Sequence, residues 1–168
     1  MKKIISISAA FLFMVGTSCG QPAKTTTQSK ETISTQKKFP IQKSDNEWKK
    51  ILSPIAFEVM VRRGTEPPFK NPYNDNHIKG IYVSAATGEP LFSSEDKFES
   101  GTGWPSFTKP INPKAVTVVK DNAFGMERDE IIETSTGLHL GHVFDDGPAN
   151  KGGKRYCMNS AAFKFIKK

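Results

Sequence analysis

The sequence predicts a mostly β, mainly antiparallel domain with a short helical pair on its N-terminal side. Two observations carry this. From Gly64 onward, short runs rich in β-formers alternate with Gly, Pro and Asn turn signals. Just before them, apolar residues recur at helical spacing behind a capping sequence. The chain has 168 residues, enough for one domain plus extensions. Its 12 Phe, 2 Trp and 3 Tyr supply bulk for a core despite a negative mean hydropathy.

Residues 1–18 read as a secretory signal. Lys2 and Lys3 form a positive start, Ile4 to Val15 an apolar run, and Gly16-Thr17-Ser18 a small-residue stretch ahead of Cys19. The run is too short for an ordinary spanning helix. A cysteine directly after small residues is similar to a bacterial lipoprotein cleavage site, which would make Cys19 a lipidated first residue and membrane anchor. Gly16 stands where that pattern prefers Leu, so ordinary secretion is the alternative. Either way the expected location is the cell envelope, outside the cytoplasm and periplasmic if there is an outer membrane. Residues 19–43 are rich in Gln, Thr, Ser and Lys and are expected to be a disordered tether.

The domain is expected over residues 44–168. Ser44-Asp45-Asn46-Glu47 fits a capping box, and Trp48, Ile51, Leu52 and Ile55 follow helical spacing. Ser53-Pro54 predicts a helix restart, with Ile55, Val59 and Met60 continuing an apolar face and Gly64 as a stop. Strands are expected at Gly80 to Ser84, Pro90 to Phe92, Ala115 to Val119, Glu130 to Glu133, Leu138 to Phe144 and Lys154 to Ile166. The net charge is +7, but the lysines are scattered, and Lys24, Lys30, Lys37, Lys38 and Lys43 lie in the tether. No aromatic-interleaved basic motif appears, so no nucleic-acid partner is expected; the charge reads as a solvated surface.

Cys157 would be the domain's single thiol, so no internal disulfide can form. It is either a small buried filler or a nucleophile. Along a strand, Arg155, Cys157, Asn159, Ala161, Phe163 and Phe165 would share one face that begins polar and ends apolar. Arg155 could lower the thiol pKa and Asn159 could orient a reacting group, or both could equally be solvated or cap the backbone. His139 and His142 flank Leu140-Gly141. A flat strand sends their rings to opposite faces, whereas a bulge at Gly141 brings them together. They could be structural, could pair with carboxylates such as Asp145 and Asp146 around zinc, or could join Cys157 and Asn159 in acyl transfer. Gly101-Thr102-Gly103-Trp104-Pro105-Ser106-Phe107 lets the backbone approach closely, with Trp104 and Phe107 able to wall an apolar pocket.

Together, Gly103-Trp104-Pro105-Ser106-Phe107, His139-Leu140-Gly141-His142-Val143-Phe144 and Arg155-Tyr156-Cys157-Met158-Asn159-Ser160 resemble the successive signatures of B-type methionine sulfoxide reductases, MsrB. Gly64-Thr65-Glu66-Pro67-Pro68-Phe69 and Gly80-Ile81-Tyr82-Val83 extend the likeness over roughly residues 45 to 166. The resemblance implies two small antiparallel sheets in a β-tent-like fold with the helices packed alongside. It implies reduction of the R epimer of methionine sulfoxide in oxidised proteins and peptides, each epimer having its own reductase. By the same resemblance, Cys157 attacks the sulfoxide sulfur and becomes a sulfenic acid. His139, His142, Asp146 and Asn159 match positions that bind and protonate the oxygen, Arg155 lies near the thiolate, and Trp104 receives the methyl group.

Two departures narrow these expectations. Many family members hold a structural zinc in two Cys-x-x-Cys pairs, whose positions here are Ser84, Thr87, Glu133 and Thr136. A zinc-free form without cofactor is expected. Many also carry a resolving cysteine where this chain has Thr102. An external thioredoxin-like reductant is therefore expected to recycle Cys157, and the domain is expected to act as a monomer. Two other classes remain to be weighed: a non-catalytic envelope lipoprotein that binds apolar peptide groups through Trp104 and Phe107, and a Cys-His hydrolase. The hydrolase would need an oxyanion hole and gains nothing from a methyl-sized aromatic slot.

Overall fold

A computed structural model describes residues 39–168. The expected signal segment, Cys19 and the tether up to residue 38 lie outside the described residues. The last part of the expected tether is docked on the domain. Ile41 donates its N–H to the Ser135 carbonyl at 2.8 Å, and the Phe39 ring lies over Gly137, where a Cβ would meet it. Phe39 and Ile41 supply apolar contacts that are scarce in the polar stretch before them.

Helix α1 spans Asp45–Ile51 and α2 spans Pro54–Met60. Both begin as expected. Ser44 and Glu47 form the capping box, and the Ser53 hydroxyl accepts from the Ala56 N–H with Pro54 in the first turn. Leu52 between them is extended, which rotates α2 relative to α1. The buried face is therefore Trp48, Leu52, Ala56, Phe57, Val59 and Met60, while Ile51 and Ile55 stay exposed. The stop after α2 also differs from the expectation. The left-handed residue is Arg63, at φ 59°. Gly64 instead donates its N–H to the Glu58 carbonyl at 3.0 Å, in a space too tight for a Cβ.

The strands are β1 Gly80–Ser84, β2 Pro90–Ser93, β3 Lys97–Phe98, β4 Ser106–Phe107, β5 Val116–Asp121, β6 Arg128–Glu133, β7 His139–Phe144, β8 Arg155–Met158 and β9 Phe163–Lys167. They form two antiparallel sheets, in the orders β2-β1-β9 and β3-β4-β8-β7-β6-β5. The mostly β, two-sheet expectation holds. The expected single strand from Lys154 to Ile166 does not. It breaks after Met158, makes a 3-10 turn at Ser160–Ala162, and continues in the other sheet as β9. The cause is the buried Glu66 carboxylate. It accepts the N–H groups of Ser160 and of Ala161 (2.9 Å for Ala161), so those amides are taken before a strand partner can use them.

The core lies between the sheets. Tyr82 of β1, Phe92 of β2, Phe107 of β4 and Phe163 of β9 form an aromatic cluster, with Phe92 stacked on Phe107 at 4.6 Å and Tyr82 edge-on to Phe107 at 5.0 Å. Each fully buried ring contributes about 1.5–3 kcal/mol. Burial also pushes the Tyr82 hydroxyl up to about 12, although Asn76 donates to it at 3.0 Å.

A second, polar tie joins the turns after β1 and β6. Glu133 is fully buried, and its two carboxylate oxygens accept from Thr87 Oγ1 at 2.5 Å and Thr136 Oγ1 at 2.7 Å. The Ser84 hydroxyl accepts from the N–H groups of Ala86 and Thr87 at 3.2 and 3.3 Å. Because both acceptor oxygens of Glu133 are filled from opposite turns, Glu133→Ala leaves two hydroxyls without their partner. The variant is expected to lose about 1–3 kcal/mol of stability in chemical denaturation, and an unchanged midpoint would show that the tie contributes nothing.

Candidate active site

Strand register assembles the site. Residues directly opposite on antiparallel strands share a face. Cys157 lies opposite His142 of β7 on one side and Ser106 of β4 on the other, and His142 lies opposite Glu130 of β6. Four strands thus present Glu130, His142, Cys157 and Ser106 in one row.

The β6–β7 register slips by one residue. Ile131 pairs with Gly141 and Ile132 with His139, leaving Leu140 as the extra residue. The bulge expected at Gly141 is therefore present one position earlier. It turns His139 to the side of His142, with ring centroids 5.3 Å apart. It also frees the Leu140 carbonyl, which accepts from both the backbone N–H and the side-chain amide of Asn159, at 2.9 and 3.1 Å. Gly141 itself is needed for close approach, because a Cβ there would meet the Cys157 carbonyl oxygen at 2.3 Å.

The imidazoles are each held by a carboxylate. Burial raises the Glu130 pKa, but the hydrogen bond and charge of His139 and the nearby Arg63 outweigh it and leave the group below its ordinary value. Ionised Glu130 accepts from His139 Nδ1–H at 2.7 Å, which points Nε2 toward the Asn159 amide at 3.5 Å. Arg63 pairs with the other Glu130 oxygen. His142 Nε2–H donates to Asp121 Oδ2 at 2.9 Å. That hydrogen bond, with others from the Ala123 N–H and Arg128, holds the Asp121 carboxyl well below the carboxylate range. His142 itself is pushed below its ordinary value by burial, which the Asp121 bond does not offset. With Nε2 committed, Nδ1 is the nitrogen able to exchange a proton with the cleft.

The cleft is small, about 120 Å³, and its lining includes Trp104, His142, Phe144, Cys157 and Asn159, with Arg128 at its side. Trp104 is fixed by its indole N–H, which donates to the Glu66 carbonyl at 3.0 Å. Asn159 is fixed by accepting the Glu66 N–H at 3.2 Å. One residue therefore places both an aromatic wall and an amide.

Three expected roles are redistributed. Phe107 is not part of the cleft; it lies opposite Tyr156, on the other face from Ser106 and Cys157, and is wholly buried in the aromatic core. Phe144 is the second aromatic wall instead. Asp146 does not reach the histidines. It is largely exposed and clamps Arg155, whose Nε and Nη2 donate to its two oxygens at 2.8 and 2.9 Å. Arg155 stacks over the Phe144 ring at 4.4 Å. The expected lowering of the thiol pKa by Arg155 is overridden: burial pushes Cys157 up, and the Thr102 hydroxyl, the charge of Arg155 and the nearby Ser106 hydroxyl recover only part of the shift.

Sequence reasoning missed Glu66, Asp121, Arg128, Glu130 and Phe144. Glu130 had a signal, since it and Glu133 bracket Ile131 and Ile132 in a β-forming run. Asp121 and Arg128 face each other at the ends of the β5–β6 hairpin, a pairing visible only once the register is known.

The four positions where the MsrB likeness places a structural zinc hold one carboxylate and three hydroxyls, and the carboxylate oxygens already accept hydrogen bonds. That donor set does not fit a structural zinc, whose four ligands are Cys and His. Among the described residues no group of three or more His, Cys, Asp or Glu is arranged to hold a metal.

The chain matches the family model of the SelR domain over residues 52–167, more than half its length. With that match added to the two-sheet fold and the row of Glu130, His142 and Cys157, the chain belongs to the SelR-domain family, the B-type methionine sulfoxide reductases that reduce methionine-R-sulfoxide.

Proposed function

We propose that Cys157 carries the reductase chemistry of this domain alone. The observation that supports this most directly is its position: a half-buried thiol opposite His142, in a cleft walled by Trp104 and Phe144. Methionine-R-sulfoxide in an oxidised protein or peptide enters with its methyl group against Trp104. The Cys157 sulfur attacks the sulfoxide sulfur. The sulfoxide oxygen becomes more basic as the bond forms and takes a proton from His142, with Asn159 at the polar end of the cleft and the buried His139 behind it. The sulfur–sulfur bond and the sulfoxide S–O bond then break as the protonated oxygen passes to the Cys157 sulfur, so methionine leaves as the thioether and Cys157 is left as a sulfenic acid. The thiol and sulfoxide have then become sulfenic acid and thioether, with two electrons moved from cysteine sulfur to substrate sulfur.

Cys157 is the only cysteine among the described residues, and Thr102 borders it. An external thiol reductant, thioredoxin-like in chemistry, therefore completes the cycle. One thiol condenses with the sulfenic acid and releases water, and a second breaks the mixed disulfide. The lipoprotein-like N-terminus supports an anchored, envelope location for a monomeric domain.

The test is reduction of R- and S-methionine sulfoxide substrates by the purified protein with dithiothreitol. Turnover of the R epimer alone, abolished in Cys157→Ser, is expected. Activity surviving in that variant removes Cys157 as the nucleophile.

The pH dependence follows from the two opposed shifts. Cys157 lies above its ordinary value near 9, and His142 below its ordinary value near 6.5. Between them the pair holds one proton, which is the state required: thiolate with imidazolium, or its equivalent with the proton on sulfur. Below the His142 pKa a second proton blocks the thiolate; above the Cys157 pKa the acid is lost. The kcat/KM profile is expected to be bell-shaped, with an acid limb below about 6.5 and an alkaline limb above about 9. A profile that rises steadily to high pH would remove His142 as the donor.

On the same reading the domain folds and works without zinc. Metal analysis of the purified protein is expected to find no stoichiometric zinc, and its melting temperature should not respond to a chelator. One zinc per chain would overturn this.

A further inference from the structure

On the side away from His142, Cys157 is bordered by hydroxyls. Ser106 is fully buried and directly opposite it. Ser106 Oγ lies 2.7 Å from Ser100 Oγ, which lies 2.8 Å from Thr102 Oγ1, which lies 3.9 Å from Cys157 Sγ, at the outer reach of a hydrogen bond to sulfur. At the far end, Ser106 Oγ lies 3.3 Å from the Trp104 carbonyl oxygen. The Thr102 N–H also donates to Ser100 Oγ at 3.4 Å and fixes the middle of the chain.

Each hydroxyl has one proton to donate and lone pairs to accept with. The row can be ordered in two ways. In the first, Ser106 donates to the Trp104 carbonyl, Ser100 to Ser106 and Thr102 to Ser100, and the thiol donates to Thr102. In the second, Thr102 donates to sulfur, Ser100 to Thr102 and Ser106 to Ser100, and the carbonyl gives up its donor. The first order suits a thiol. The second suits a thiolate, which only accepts. Passing from one to the other requires rotation about three C–O bonds, and no proton leaves its oxygen.

We infer that Ser100, Thr102 and Ser106 form a reversible hydroxyl chain that positions the Cys157 sulfur and supplies it with a hydrogen bond when it becomes a thiolate. This rests on the reading of Cys157 as the nucleophile. Other groups also face the sulfur: His142 from β7, Arg155 from β8 itself and Arg128 from β6 across the cleft. The arginines supply a constant positive charge, and His142 one that varies with pH. The hydroxyl chain differs from all three because it responds to the sulfur's charge without carrying any. It also gives Thr102 a role of its own. A hydroxyl donates better than a thiol, so this position, lacking a second cysteine, strengthens the first one.

The test uses the full chain carrying Cys19→Ser, so that Cys157 is its single thiol, and follows thiolate formation by ultraviolet absorbance and alkylation rate against pH. Thr102→Val keeps the shape and removes the hydroxyl. It is expected to raise the titration midpoint by about one pH unit and to slow alkylation at neutral pH about tenfold. Thr102→Ser restores the hydroxyl and is expected to titrate with the parent. Ser100→Ala breaks the chain one step from the sulfur and is expected to shift the midpoint in the same direction as Thr102→Val. The inference is overturned if Thr102→Val titrates with the parent, if Thr102→Ser shifts as far as Thr102→Val, or if Ser100→Ala leaves the midpoint in place. These readings do not depend on turnover. Loss of the nucleophile assignment would instead appear as sulfoxide reduction surviving in Cys157→Ser.

Discussion

The buried carboxylate of Glu66 is the constraint on which the site depends. It takes the N–H groups of Ser160 and Ala161 and ends β8 at Met158. The chain then crosses to the smaller sheet as β9, so one side-chain group couples the two sheets. The backbone of the same residue holds Asn159 through its N–H and Trp104 through its carbonyl. Burial raises the Glu66 pKa, and the two backbone donors work against that rise. Hydrogen bonds to a charged acceptor are the stronger kind, on the order of 1.5–3 kcal/mol each, which is what offsets the desolvation of a carboxylate in a protein interior.

Burial also sets the electrostatics of the cleft. It moves Cys157 up and His142 down, toward the uncharged form in both cases. The resting pair is neutral, and a charge on one is stabilised by the opposite charge on the other. Neighbours oppose the burial at each group: Asp121 for His142, and Thr102, Arg155 and Ser106 for Cys157. This suits a reaction in which nucleophile and proton donor must be charged at the same moment and at no other. A site with a permanently exposed thiolate would instead be open to stray oxidants.

The polar tie at Glu133 links two turns through hydrogen bonds to one buried carboxylate. Thr87 and Thr136 come from turns belonging to different sheets, and each fills one side of the carboxylate. Together with the aromatic cluster of Tyr82, Phe92, Phe107 and Phe163, it joins the sheets at two places. One is apolar and central, the other polar and at the turns.

By itself the sequence determined the kind of elements and the chemistry available to them. The Ser44 capping box, the Ser53-Pro54 restart and the alternation of Arg155 with Cys157 are local patterns, and local backbone geometry carries them out. The three motifs likewise contained nearly all the reactive side chains. Tertiary structure decided which of them meet. Alternation put Asn159 on the side of Cys157, and it does line the cleft with Cys157, but Glu66, 93 residues earlier, holds it there rather than a continuing strand. Phe107 and Asp146 stand near the motifs in sequence, yet register turns Phe107 into the core and Arg155 draws Asp146 away from the histidines. Asp121 and Glu130 gained their importance from strand pairing and a one-residue bulge, a register between neighbouring strands that no local pattern states.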